Sequence, residues 1–132
     1  MEFCLSLFPH WAWSIVHGRK RIENRTWRTR HRGRLWIHSS TTRSVISPAD
    51  MSLLGDMPDP SLLPRGAIIG SVHVVDCVPL ADVSGNAYAF GPWCWVLERP
   101  RAIRPIPCLG STKLWHMPQK VQRVALHTRS LR

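Results

Sequence analysis

Between Gly18 and Arg34 the sequence reads GRKRIENRTWRTRHRGR and holds eight of the eighteen Lys and Arg residues around a single acid, Glu23. Side chains of these types can do two kinds of chemistry. Arg19, Arg25, Arg28, Arg30 and Arg32 can contact phosphate, bidentately where geometry allows, which fixes a polyanion's position without reading its bases. Lys20, between Arg19 and Arg21, is a candidate general base because like charge on both sides disfavours its ammonium form; it is equally able to grip a phosphate as a cation. Glu23 can pair with Lys20 or Arg25 to hold the geometry, or accept hydrogen bonds from a cytosine or guanine edge. An ordinary ion pair with Arg25 is the plain alternative. Trp11, Trp13, Trp27 and Trp93 offer flat faces for base stacking, and Trp11 and Trp27, which flank the basic stretch, are better placed than Trp36 or Trp95. Most of the seven tryptophans in so small a chain must nevertheless be core. His38-Ser39 ends an apolar run downstream, and no Ser-His-Asp or Cys-His arrangement is visible around it. His10 is a second histidine placed to reach the mouth of such a site.

These residues need elements to carry them. Phe3 to Phe8 reads as a short strand, and Pro9 opens a helix that Gly18 closes, with Trp11, Ala12, Ile15 and Val16 on one face. Ile22 to Trp27 is expected to be a strand; if it is regular from residue 20, Lys20, Ile22 and Asn24 face one way and Arg21, Glu23 and Arg25 the other. Leu35 to His38 reads as a buried strand after a turn at Gly33. Ser47-Pro-Ala-Asp50 carries a helix start, a Ser cap followed by Pro and an acid. Asp56 to Arg65, with three prolines, is a loop, as is Asp82 to Asn86. Ala67 to Val78 is nearly continuously apolar and β-branched, hence a central strand. Trp93 to Leu97 is another, Ile103 to Pro107 can only be an edge or connection because of its prolines, and Leu114-Trp115 begins a last strand. Residues 119–132, basic, weakly amphipathic and without acids, read as a short helix lying on polyanion or as a frayed end, the second being preferred.

The whole chain sets the context. At 132 residues it is one domain with a self-sufficient core, and a net charge of +10 with a pI near 11 points to a polyanionic partner, nucleic acid ahead of a membrane surface. Cys4, Cys77, Cys94 and Cys108 show no CxxC spacing, so neither a metal site nor any cofactor is implied. The N-terminus lacks the basic segment and the long apolar run of a signal peptide, and no stretch is long enough to span a membrane; a reduced, cytoplasmic protein is expected.

Gly18-Arg-Lys20-Arg-Ile-Glu23-Asn-Arg25 resembles the GxKxxExR signature of the ASCH domain, a member of the PUA-like superfamily. The likeness extends to Cys4-Leu-Ser-Leu7 with Pro9 and Trp11-Ala12, to Arg32-Gly-Arg-Leu-Trp-Ile37, to Gly66-Ala-Ile-Ile-Gly70, and to Phe90 to Leu97 and Pro105-Ile-Pro107. It implies an α+β fold over residues 1–118: a curved or barrel-like mixed sheet of five to six short strands with two or three short helices, followed by a basic tail over 119–132. It also implies nucleic-acid binding in a cleft beside the barrel, RNA ahead of DNA, by Trp11, Arg19, Lys20, Arg25, Trp27, Arg28, Arg30, Arg32, His38 and Ser39. Some small bacterial relatives are hydrolases of acetylated cytidine or of RNA, so a hydrolase with Lys20 and Glu23 as catalytic groups is the alternative. In the acetylcytidine branch a Thr stands three positions after the signature lysine. Here that position is Glu23, which cannot serve as that nucleophile, and the charge excess suits a polymer better than a nucleoside. A protein-interaction module with an incidental basic face is the third reading, and protein partners are not legible.

Overall fold

The structure, a computed structural model, describes residues 1–42 and 45–131. Its elements run β1 (Phe3–Leu7), α1 (Pro9–Val16), β2 (Ile22–Arg25), β3 (Gly33–Ser39), α2 (Pro48–Leu54), β4 (Ala67–Pro79), β5 (Trp93–Pro107), β6 (Leu114–His116) and α3 (Gln119–His127), with short 3-10 turns at Pro60–Leu62 and Leu80–Val83. The six strands form one mixed, curled half-barrel sheet in the order β2-β5-β4-β3-β1-β6. β1 and β3 are parallel; the other pairs are antiparallel. As expected for the resemblance, this is an α+β, PUA-like architecture.

Both sheet faces are covered, and the strands read accordingly. Leu5, Leu7, Leu35 and Ile37 point to one face, where they join Ala12, Ile15 and Val16 of α1. Cys4 and Trp36 point to the other, where Ile68, Ile103 and Met117 meet Ala125 of α3. Alternate residues of a strand face opposite ways, so a strand buried on both sides loses its polar alternation. The α1 contact is close: a Cβ on Gly70 would lie 2.3 Å from the Arg101 carbonyl oxygen and 2.7 Å from Val16 Cγ1, so only glycine fits where the helix crosses β4 and β5.

Local signals hold well. Pro9 and Pro48 open their helices, Ser47 Oγ accepts from the Asp50 N–H at 3.1 Å, and Gly18 leaves α1 with φ of +80°. β4 is interior to the sheet. β5 continues through the proline-bearing segment as one strand of 15 residues; its ladder with β2 ends at Val96, its ladder with β4 runs on, and Ile103 also forms an isolated bridge with Ser130. Residues 103–105 bulge out opposite Ile69, which accommodates Pro105, a residue with no N–H to give the ladder.

Two expectations are corrected. β2 stops at Arg25 and does not begin until Ile22, so Lys20 precedes the strand and its side chain turns back toward Glu23. The strict alternation that separated Lys20 from Glu23 therefore fails. The tail does not fray: α3 is a helix whose Val121 and Ala125, an i, i+4 pair, dock on Ile103, and Leu131 donates its N–H to the Ala102 carbonyl at 2.7 Å. Arg101 adds a bond from Nε to Ser130 Oγ at 2.7 Å and another to the Thr128 carbonyl. Arg132, the last residue of that expected tail, lies outside the described residues.

Candidate nucleic-acid interface

The signature loop leaves α1 at Gly18, and Lys20 and Arg19 both donate their backbone N–H to the Ser14 carbonyl, which folds the chain back under the helix end. This turn buries Lys20. Its Nζ donates to Glu23 Oε1 at 3.0 Å and to the Ile22 carbonyl, while Glu23 Oε2 accepts from Arg25 Nε at 2.9 Å. The side chains of Lys20 and Glu23 are only 5% and 8% exposed and that of Arg25 is 24% exposed, so a carboxylate with both oxygens engaged lies between two cations. The group carries one net positive charge. Two of the three N–H bonds of Lys20 are accounted for by Ile22 and Glu23, and its Nζ sits 5.6 Å from the centre of the Trp11 ring.

These residues line an open cavity of about 1350 Å³. β2 lies at one edge of the sheet and β1 near the other, yet Glu23 and Ser6 both line it, because the sheet curls. Of the residues expected at a site, the cavity brings together Trp11, Lys20, Glu23, Arg25 and His38.

The others lie elsewhere. Arg19 donates to the Leu54 carbonyl at 3.0 Å and covers Trp13, tying the loop to the end of α2. Trp27 packs edge-on against fully buried Trp95, with ring centres 4.8 Å apart. Ser39 is fully buried and donates to the Pro64 carbonyl at 2.6 Å. Arg28, Arg30 and Arg32 are exposed on the loop between β2 and β3: Arg28 lies over the Trp93 ring, and Arg32 donates to the Thr29 and His31 carbonyls beside Asp76. They form a second basic patch outside the cavity lining. His10 is buried against Phe8 and Trp11.

The sequence reading missed Asn24 and Phe90. Asn24 Oδ1 accepts from the Phe90 and Gly91 N–H groups at 2.8 and 2.9 Å, and its Nδ2 donates to the Tyr88 carbonyl at 2.9 Å. Every polar atom of the amide is thereby used to hold the loop of residues 88–91, which presents Phe90, 59% exposed, at the cavity. The only sequence signal was the position of Asn24 inside the signature. Arg65 and Lys113 also line the cavity, from loops that no local pattern connected to it.

The curled mixed sheet and its helices have a PUA-like fold, and comparison with known proteins gives the family. The ASCH domain model matches residues 5–107, and the chain belongs to the ASCH domain family. It is similar to activating signal cointegrator 1 of Homo sapiens, at 31% identity over 140 aligned positions covering 93% of this chain and 23% of that protein, and to its Mus musculus counterpart at 29% identity with the same coverage. The chain thus spans about a quarter of the length of these relatives. Among solved structures, the ASCH protein of Zymomonas mobilis superposes with a TM-score of 0.63 at 18% identity, covering 98% of this chain and 96% of that one. That likeness supports the fold. Among the described residues, no helix is long and apolar enough to cross a membrane and no cluster of ligating side chains could hold a metal ion.

Proposed function

We propose that this is a nucleic-acid-binding ASCH module that holds RNA, or an unpaired or modified nucleotide, in the cavity lined by Lys20, Glu23 and Arg25. The observation that carries the reading is the buried Lys20–Glu23–Arg25 group with its one net positive charge, in a cavity that Trp11 and the exposed Phe90 also line. A cation for phosphate and aromatic faces for a base are what a single-stranded nucleotide needs, and each base stacked contributes about 1–3 kcal/mol. Arg28, Arg30 and Arg32 then follow the backbone of the polymer outside the cavity. The functional unit runs over 1–118, and residues 119–132, which include the helix α3 (Gln119–His127), add positive charge to it. A cytoplasmic setting, with its cysteines reduced, fits the four free thiols.

Glu23 works against the hydrolase alternative in its Lys20–Glu23 form. Both of its oxygens already accept from cations, and it offers no nucleophile in place of the Thr of the acetylcytidine branch.

The test is fluorescence anisotropy of a labelled 12-nucleotide RNA and its DNA counterpart from 50 to 200 mM salt. The expected result is tighter binding of RNA and a steep loss of affinity with salt. Each of Arg28→Ala, Arg30→Ala and Arg32→Ala should reduce the slope by about 0.7–1. Affinity that does not change with salt would overturn the reading in favour of a protein partner.

A further inference from the structure

The cavity contains a second polar group, apart from Lys20, Glu23 and Arg25. Ser6 of β1 and His38 of β3 are direct partners in the parallel register, and Ser6 Oγ lies 3.0 Å from His38 Nδ1. On the far side of the ring, His38 Nε2 is 2.8 Å from the Cys108 carbonyl oxygen. A carbonyl can only accept, so Nε2 carries the ring proton and Nδ1 presents its lone pair to the serine hydroxyl. Trp115 Nε1 donates to the same Ser6 Oγ at 3.2 Å, and the Trp115 ring stands edge-on to the imidazole at 5.5 Å. Burial pushes the histidine below its ordinary value, so the ring is neutral at pH 7. The loop that supplies the Cys108 carbonyl closes over the pair: a Cβ on Gly110 would lie 2.5 Å from His38 Cε1 and 2.7 Å from Ser6 Oγ. Both Ser6 and His38 line the cavity, and Ser6 is only partly buried.

A histidine that merely fills a core needs a partner for each nitrogen, and Ser6 and Cys108 would satisfy it. That role does not require the serine to open on the cavity or an N–H to be aimed at its oxygen. A hydroxyl that opens on a cavity, within hydrogen-bond reach of a base that a third group orients, is the arrangement of an activated nucleophile.

We propose that Ser6 is an acyl-accepting nucleophile with His38 as its general base, acting on a carboxylic ester borne by a ribose hydroxyl of the nucleotide in the cavity. The nucleotide part of this substrate rests on the binding function proposed above; the serine chemistry does not. Ser6 Oγ bonds to the ester carbonyl carbon while its proton passes to His38 Nδ1. The bond from that carbon to the ribose oxygen breaks, and the ribose oxygen takes the proton from Nδ1, leaving acyl-Ser6. Water then attacks the acyl carbon and gives a proton to Nδ1, and Ser6 leaves with that proton as the acid is released. The sum is ester plus water giving alcohol plus carboxylic acid. An ester suits the site better than an amide, because Trp115 Nε1 holds the attacking Ser6 Oγ rather than the substrate carbonyl oxygen, and an amide's poorer leaving group needs stronger stabilisation of the oxyanion.

The experiment treats the full chain with a biotinylated fluorophosphonate, which phosphonylates activated serines, and maps the adduct by mass spectrometry. In parallel it incubates the protein with a short RNA carrying a 3′-terminal O-acetyl ester. The expected result is one adduct on Ser6 and loss of the acetyl group from the RNA. Both should vanish in Ser6→Ala, and labelling should slow by about 100-fold or more in His38→Gln. Since His38 is buried and His38→Gln can fail to fold, Trp115→Phe, which keeps an aromatic ring and removes the N–H that holds Ser6 Oγ in place, provides a second check: labelling should slow about tenfold. Absence of an adduct on Ser6 in the folded protein overturns the proposal, as does a labelling rate that Trp115→Phe and a folded His38→Gln leave unchanged. Labelled Ser6 with RNA that binds but keeps its acetyl group overturns the assigned substrate. Labelled Ser6 with RNA that does not bind supports the serine chemistry and counts against the binding reading instead.

Discussion

Removing Glu23 is the sharpest perturbation the structure offers. Its carboxylate is 8% exposed and lies between Lys20 Nζ at 3.0 Å and Arg25 Nε at 2.9 Å, and Lys20 itself is 5% exposed. Glu23→Ala leaves the Lys20 ammonium buried with the Ile22 carbonyl and the face of Trp11, whereas Arg25, 24% exposed, can turn to water. Breaking a buried pair from one side costs about 3–5 kcal/mol, mostly because the remaining charge stays desolvated. At this chain length that corresponds to a fall of roughly 10–20 °C in Tm. Lys20→Met should cost less, about 1–3 kcal/mol, because it removes the most buried charge and leaves Glu23 paired with Arg25. The double variant Lys20→Met/Glu23→Ala should then be more stable than the two losses added together predict, with a coupling of about 1–3 kcal/mol. Urea denaturation of the four proteins gives these values directly, provided the m-values agree. A loss below about 1 kcal/mol in Glu23→Ala, the range of solvent-exposed pairs, would refute the reasoning, and so would strict additivity. Either result would mean that water reaches the group despite the burial of the Lys20 and Glu23 side chains.

Other consequences can be checked separately. Glu2 accepts from Arg34 Nε at 2.7 Å and Trp36 Nε1 at 2.8 Å, and the Arg34 bond, helped by that from Trp36 and opposed by burial, holds its carboxyl below the ordinary value of 4.5. Its contribution to stability is therefore present above that value and is lost as pH falls through the lower folded one. Glu2→Gln, which keeps an acceptor for Trp36, should flatten the stability-versus-pH curve below pH 4.5 and cost less than about 1 kcal/mol at pH 7, because Arg34 is 39% exposed; an unchanged acid limb in urea titrations would count against it. Gly70→Ala forces a methyl against the Arg101 carbonyl and Val16 and should cost about 1–3 kcal/mol or more by thermal unfolding; a neutral result would mean that α1 can shift on the sheet. Deleting residues 119–132 uncovers Ile103 and Met117 and should lower Tm and increase binding of a hydrophobic dye, with no change expected if the helix only rests on the surface.

What the sequence made legible was whatever depends on near neighbours. Pro9, Gly18, Ser47 and Pro48 set helix ends through contacts within four residues, and the burial of β4 is written in its unbroken apolar run. Lys20, Glu23 and Arg25 fell into one motif because the chain brings them together over six residues. The alternation rule nevertheless set Lys20 apart from Glu23, since a rule for strands cannot tell where β2 begins. The frayed tail was misread for a related reason: Val121 and Ala125 form a small apolar pair amid strong positive charge, and only the exposed flank of β5 shows that they have something to cover.

Contacts set by sheet curl and by parallel pairing had no local signature at all. Ser6 and His38 are 32 residues apart and meet only because β1 and β3 run parallel in one register; Cys108 reaches them across 70 residues through a loop that must carry glycine at 110. His38 on its own is indistinguishable from a core histidine in an apolar strand. Its two nitrogens acquire distinct roles only when one faces a carbonyl, which can accept but not donate, and the other a hydroxyl, which can do both. The same holds for Asn24, whose amide looks like one more polar residue in a basic run until the 88–91 loop closes on it and sets Phe90 at the cavity. In this fold the motif supplies the charge, and the long-range register supplies the groups that could act on whatever that charge holds.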